Sequence, residues 1–146
     1  MLVVVTTLAA ACASAPPAAT TPHPELETAE IAVDGAELTV WVADSGDERG
    51  QGLRNVGSLP QGVHGMLFVW DSPSTPSFGM RDTLMPLDLW WFAPDGSLIG
   101  KTEMSICPDG NCVSYPAPGP VLFALETPAG AYSFALGARL TTSANA

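Results

Sequence analysis

Strand-length apolar runs, each closed off by a proline or glycine turn, are the feature that most limits how this chain can fold. With 14 glycines and 14 prolines in 146 residues, a long helix has nowhere to run, because either residue inside a helix costs about 1–3 kcal/mol. Between the turns stand Glu30 to Val33, Ala36 to Ala43, Met66 to Trp70, Leu87 to Phe92, Leu98 to Met104 and Val121 to Glu126. Asp34-Gly35 between the first two suits the left-handed positions of a type I′ hairpin turn. In the second, Leu38, Val40 and Val42 alternate with Glu37, Thr39 and Trp41, so the strand is half-buried. Ser45-Gly46-Asp47-Glu48 matches a capping box and predicts a short helix to about Leu53, weakened by Gly50 and Gly52. The continuous run Met66 to Trp70 predicts a strand buried on both faces. Pro94-Asp95-Gly96 turns Leu87 to Phe92 back into Leu98 to Met104. The pattern predicts a mostly β, compact antiparallel sandwich or barrel-like single domain with one short helix.

The charge excludes one class of partner. Five Lys and Arg against 15 Asp and Glu give a formal charge of −10, and a polyanion repels nucleic-acid phosphates. A chain 47% hydrophobic and 14% charged has enough apolar surface to build a core.

Residues 1–11 (MLVVVTTLAAA) carry no charge and are too short to span a bilayer, which takes roughly 20 helical residues. They suit the apolar region of an export signal, with Ala9, Ala10 and Ala11 as the small residues before cleavage. Leu8 to Cys12 resembles the lipobox of bacterial lipoproteins, which implies lipidation of Cys12 and an extracytoplasmic, membrane-anchored, secreted or periplasmic protein. The expected organisation is a signal peptide over 1–11, a tether over 12–28 and one domain over 29–141. The tether's Ala13 to Pro24 holds four prolines and no charge, a semi-rigid spacer of about 3 Å per residue. Lipidation of Cys12 leaves Cys107 and Cys112 as a pair across the turn Pro108-Asp109-Gly110-Asn111. A disulfide there closes a small ring, contributing about 2 kcal/mol on loop entropy. Only His23 and His64 are available to complete a zinc site with these thiols, so no metal is expected, nor any cofactor.

Gly65-Met-Leu-Phe-Val-Trp70, Phe78-Gly-Met-Arg-Asp-Thr83, Met85-Pro-Leu-Asp88 and Pro94-Asp-Gly96 together resemble the bacterial and archaeal family called domain of unknown function 192. Tyr115-Pro116, Leu125-Glu126, Glu48-Arg49 and Gly52-Leu53 fall where that family has similar residues, and the resemblance runs from about Ala29 to Leu140. The departures are Gly79 for Trp, Arg81 for Lys, Asp82 for Asn and Arg54 for Met, with a shortened region after Gly130. The resemblance implies a compact, mostly antiparallel β fold with a short helix and no established activity.

From Gly65 to Phe92 the ionisable side chains are Asp71, Arg81, Asp82 and Asp88. A charge within apolar strands needs a partner, and Arg81 is placed to bridge Asp88, Glu103 or Glu126. Two readings stand. One is a cleft lined by Arg81, Asp82, Thr83 and Asp88 with aromatic walls from Phe78, Trp90 or Trp91; the other is a structural ion pair fixing strand order. The candidate binding cluster is Phe78, Met80, Arg81, Asp82, Thr83, Asp88, Glu103, Tyr115 and Glu126. Alternation sets Trp90 and Trp91 on opposite faces, leaving one partly exposed, while Trp70 fills the core. His64 reads as a loop residue. The function expected is a non-catalytic envelope domain binding a small molecule, glycan or protein, touching the membrane only through its N-terminal lipid. The alternative is a hydrolase-like enzyme using Asp82 and Asp88 with Arg81 as clamp.

Overall fold

The computed structural model describes residues 23 and 25–143; the expected signal segment, Cys12 and most of the expected tether lie outside them. Strands β1 (Thr28–Val33) and β2 (Ala36–Ala43) form the expected hairpin, with Asp34 at φ 52° and Gly35 at φ 86° in its turn. Helix α1 (Gly46–Gln51) is short. The Ser45 hydroxyl accepts from the Glu48 N–H at 3.2 Å, and the Glu48 carboxylate accepts from the Ser45 N–H at 3.0 Å, which completes the capping box. Then follow β3 (Gly65–Ser74), β4 (Ser77–Gly79), β5 (Leu87–Phe92), β6 (Leu98–Met104), β7 (Ser114–Pro116), β8 (Val121–Pro128) and β9 (Leu140–Thr142).

Seven strands make one sheet in the order β6-β5-β8-β3-β2-β1-β9, and β4 pairs with β7 in a second, two-stranded sheet. All pairs are antiparallel except β2–β3, which run parallel. That exception departs from the antiparallel expectation and has a simple cause. Parallel neighbours need a long crossover, and residues 44–64, with α1 inside them, supply it. The sheet curls until its edges meet: the Leu98 N–H donates to the Ala138 carbonyl and the Leu140 N–H to the Gly96 carbonyl, both at 2.9 Å.

Curling separates two apolar clusters. Ile31, Val33, Leu38, Val40, Leu67, Trp90, Phe92, Leu98, Leu125 and Leu140 come from both edges and the centre, so they fill the inside of the curl. Trp41, Leu53, Val56, Met66, Phe68, Met80, Leu87, Leu89, Trp91 and Met104 pack on the outer face, beneath α1, the crossover and the small sheet. Both Trp90 and Trp91 are buried, at 2% and 0% exposure. The expected half-exposed tryptophan is therefore absent, because both faces of β5 are covered. Trp70 is only half-buried, since β3 is sealed through Phe68 and then shifts register against β8 between Val69 and Ser74. His64 is structural: the Thr39 N–H donates to its Nδ1 at 3.0 Å, tying β2 to the start of β3. His23, within the expected tether, lies buried edge-on against Trp41, ring centroids 5.6 Å apart.

At Gly65 the start of β3 lies close against β8. A Cβ there would collide with the Glu126 carbonyl oxygen, a backbone atom that cannot rotate away. Gly65→Ala is expected to cost about 1–3 kcal/mol and to lower the melting temperature by about 5–15 °C in a scanning thermal melt. An unchanged melt would show that the strands part freely here.

Candidate functional site

The crossover returns over the outer face and leaves a gap beside the small sheet. Gly52, at φ 49°, ends α1 and brings the chain down onto Phe68, its own Cβ position only 3.5 Å from that ring. The next residues are stitched to the turn after β4. The Asn55 N–H donates to the Asp82 carbonyl at 2.8 Å, and Arg54 forms a β-bridge with Thr83. Asn55 and Asp82 both hold positive φ, 61° and 57°, a conformation that short amide and acid side chains tolerate better than most. Phe78 of β4 packs edge-on against three rings, those of Phe68 at 4.8 Å, Trp91 at 5.3 Å and Trp70 at 6.3 Å. The hydroxyls of Ser77 and Ser114 bond across β4–β7. Cys107 and Cys112 stand within disulfide distance, Cα–Cα 5.3 Å, so the loop leading into β7 is closed on itself.

These pieces enclose a cavity of about 560 Å³, within the ordinary range for small-molecule sites. Phe68, Trp70 and Phe78 form its aromatic side, Ser77, Thr83 and Ser114 supply hydroxyls, and Arg49, Arg54 and Arg81 stand around it. Three of the chain's five cations thus line one cavity in a protein of charge −10. Arg49 is held in place. Its guanidinium donates to the carbonyls of Asp44 and, at 2.8 Å, Val69, and lies 5.7 Å over the Trp70 ring. Arg54 and Arg81 are exposed, and neither enters an ion pair among the described residues.

Among the described residues, Glu126 is the only acidic side chain lining the cavity. On β8 it stands between Met66 of β3 and Leu89 of β5, 4% exposed, with its Oε2 lacking any hydrogen-bond partner. Burial alone lifts its pKa from 4.5 to about 8, so at neutral pH it is mostly an uncharged carboxylic acid.

The sequence-derived cluster divides across the sheet. Phe78, Arg81, Thr83 and Glu126 reach the cavity. Met80 is buried in the outer core beside them, and Tyr115 opposes Phe78 across β4–β7. Asp82 is exposed and contributes its backbone rather than its carboxylate. Asp88 faces the other way. Strand alternation sends Leu87 and Leu89 outward and Asp88 to the opposite side, where it accepts from the Gly130 N–H at 2.9 Å and pairs with Lys101 at 3.2 Å. Glu103 joins the same lysine at 3.3 Å. The bridge expected from Arg81 is thus absent: Arg81 sits in an exposed turn rather than a strand, and Lys101 has taken Asp88. Asp82 and Asp88 accordingly do not form a facing pair in the cavity. Arg49 and Arg54 were not singled out from sequence, although the sparsity of cations and their position around a capped helix were the available signal.

The fold defines a small curled-sheet domain with an arginine-lined cavity. The profile of the family named domain of unknown function 192 (DUF192), described as an uncharacterized ACR, matches residues 29–140, and the chain belongs to that family. Among solved structures it is similar to a candidate transcription regulator from Sinorhizobium meliloti, at 25% identity and a TM-score of 0.71, covering 81% of this chain and 95% of that one. It is also similar to a protein of unknown function from Novosphingobium aromaticivorans, at 26% identity and a TM-score of 0.71, covering 93% of this chain and 99% of that one. No protein of curated function matches the chain.

Two stability measurements separate the two acids. Asp88→Asn removes a charge that Lys101 and the Gly130 N–H both use, and is expected to cost about 1–3 kcal/mol, read as a melting temperature lowered by several degrees. For Glu126 the sign is opposite. Its folded pKa of about 8 lies above the 4.5 of an exposed glutamate, so the contribution of Glu126 to stability is fully present below pH 4.5 and is lost as pH rises through 8. Glu126→Gln is expected to abolish that decline, gaining on the order of a few kcal/mol at pH 8 relative to the parent. Parallel pH–melting curves for the two proteins would refute the assignment.

Proposed function

We propose that this chain is a non-catalytic domain that binds a small anionic ligand in the cavity beneath α1, as part of an exported protein. The observation that carries the reading is the gathering of Arg49, Arg54 and Arg81 around one cavity while the molecule as a whole is strongly acidic. An acidic protein repels anions at long range, so cations concentrated at one concave place act against that background only locally. Two of the three guanidiniums are exposed and unpaired among the described residues, which leaves their donors free for a carboxylate or phosphate fork. The aromatic side offers apolar contact to the rest of a ligand. Export is supported by the paired Cys107 and Cys112, since such pairs persist in oxidising compartments, together with the apolar leader and the lipobox-like residues ending at Cys12.

Titration with inorganic phosphate, followed by amide NMR, is expected to shift the signals of Arg54, Arg81 and Thr83 before others. The double variant Arg54→Ala, Arg81→Ala should weaken binding by about tenfold or more, about 1.4 kcal/mol, with little change in melting temperature because both side chains are exposed. Shifts scattered over the surface, or equal binding by the variant, would overturn the proposal.

A further inference from the structure

Glu126 poses a question that anion binding alone leaves unanswered. A carboxyl group buried with an unpartnered oxygen costs free energy, and its cross-strand neighbours Met66 and Leu89 offer no donor. The guanidiniums do not supply one either, since the Glu126 side chain enters no ion pair among the described residues, its Oε2 has no hydrogen-bond partner, and its protonation is governed by burial alone. The cavity lining therefore combines two unlike features, the exposed guanidiniums of Arg54 and Arg81 and the buried, apolar-flanked carboxyl of Glu126. A fatty acid would need continuous apolar walls, whereas serine and threonine hydroxyls stand among the aromatic rings here.

We infer that the ligand is a hydroxylated carboxylate of the sugar-acid class, its carboxylate held by Arg54 and Arg81 and a ring hydroxyl hydrogen-bonded to the Glu126 carboxyl. The inference rests on the anion-binding reading and deepens it. An uncharged carboxyl presents one O–H donor and one acceptor, which is the complement of a hydroxyl. The C–H face of a sugar ring suits the rings of Phe78 and Trp70, and a cavity of about 560 Å³ has room for one or two such units. Glu126 also sets the pH range. Besides Glu126, the charged groups lining the cavity among the described residues are Arg49 of α1, Arg54 of the crossover and Arg81 after β4; on β3 and β5 the register partners of Glu126 are the uncharged Met66 and Leu89. Once Glu126 ionises, it loses its donor and repels the bound anion.

Calorimetric titration of the intact domain with D-glucuronate, acetate and D-glucose tests this. Glucuronate is expected to bind at least about tenfold more tightly than acetate, which has the charge without hydroxyls, or glucose, which has hydroxyls without the charge. Its affinity should fall about tenfold between pH 7 and pH 9 as Glu126 loses its proton. Glu126→Gln keeps a donor and an acceptor, and should bind within about threefold of the parent at pH 7 with a flat profile to pH 9. Glu126→Leu should bind glucuronate no better than acetate. An unchanged glucuronate-to-acetate ratio in Glu126→Leu, or a flat pH profile in the parent, overturns the inference. Equal binding of acetate and glucuronate, both lost on removing Arg54 and Arg81, overturns it while the anion site survives. If neither carboxylate binds, the inference falls, and the phosphate titration decides whether the anion site stands.

Discussion

Strand β8 is hydrogen-bonded on both sides, to β3 and to β5, and this double pairing decides where every chemically interesting side chain of the three strands must stand. Successive residues of a strand point to opposite faces, so once Leu125 fills the inside of the curl, Glu126 must go outward. Its partner register, Met66 on one side and Leu89 on the other, assigns those two outward as well. One residue earlier than Leu89, Asp88 has to point inward. Two acids that look equivalent in the sequence are thereby given opposite lives. Asp88 receives a lysine and a backbone N–H; the Glu126 Oε2 receives no partner.

The close approach at Gly65 maintains that arrangement. A one-residue slip of β3 against β8 would place a side chain where the Glu126 carbonyl now lies and would exchange the two faces of β3. The register is therefore enforced by sterics at one end and by the apolar clusters on both faces along the rest. Above the outer face, Gly52 at positive φ lets the crossover sit low over Phe68, and the Arg54–Thr83 bridge joins the crossover to the turn that carries Arg81. The cavity exists because these two segments are fastened to each other along one side of Phe78 rather than packed flat over it.

Much of this was legible in the residues, and the limits have physical causes. The Asp34-Gly35 hairpin, the Ser45–Glu48 capping box and the β5–β6 hairpin are local, each encoded within one short contiguous stretch, and are legible with nearly correct ends. The parallel β2–β3 pair was not, because its determinant is a crossover whose only regular element is a six-residue helix broken by glycine. Strands β4, β7 and β9, of three residues each, are made by tertiary pairing and leave no periodic trace. At the site, Phe78, Arg81, Thr83 and Glu126 were legible as unusual residues in apolar surroundings. What alternation alone could not supply was the face on which Asp88 and Glu126 would each lie, since that depends on which strands become neighbours. Assigning Arg81 to a buried ion pair failed for the same reason: the competing cation, Lys101, reaches Asp88 only through the β5–β6 register.

The contrast between the two acids also indicates which of them is kept for a purpose beyond folding. Asp88 is consistent with its surroundings at every level: inward, charged, paired and capped by an N–H. Glu126 violates the rule that a buried polar atom has a partner, in an interior strand of the sheet, where a leucine would pack between Met66 and Leu89 without penalty. Folded chains are locally consistent except where a site requires otherwise, and the exception here lies in the wall of the cavity around which three arginines have been collected. A residue that weakens the fold as pH rises through neutrality, and that does so beside the strongest local concentration of positive charge, is best explained by what it contacts when the cavity is filled.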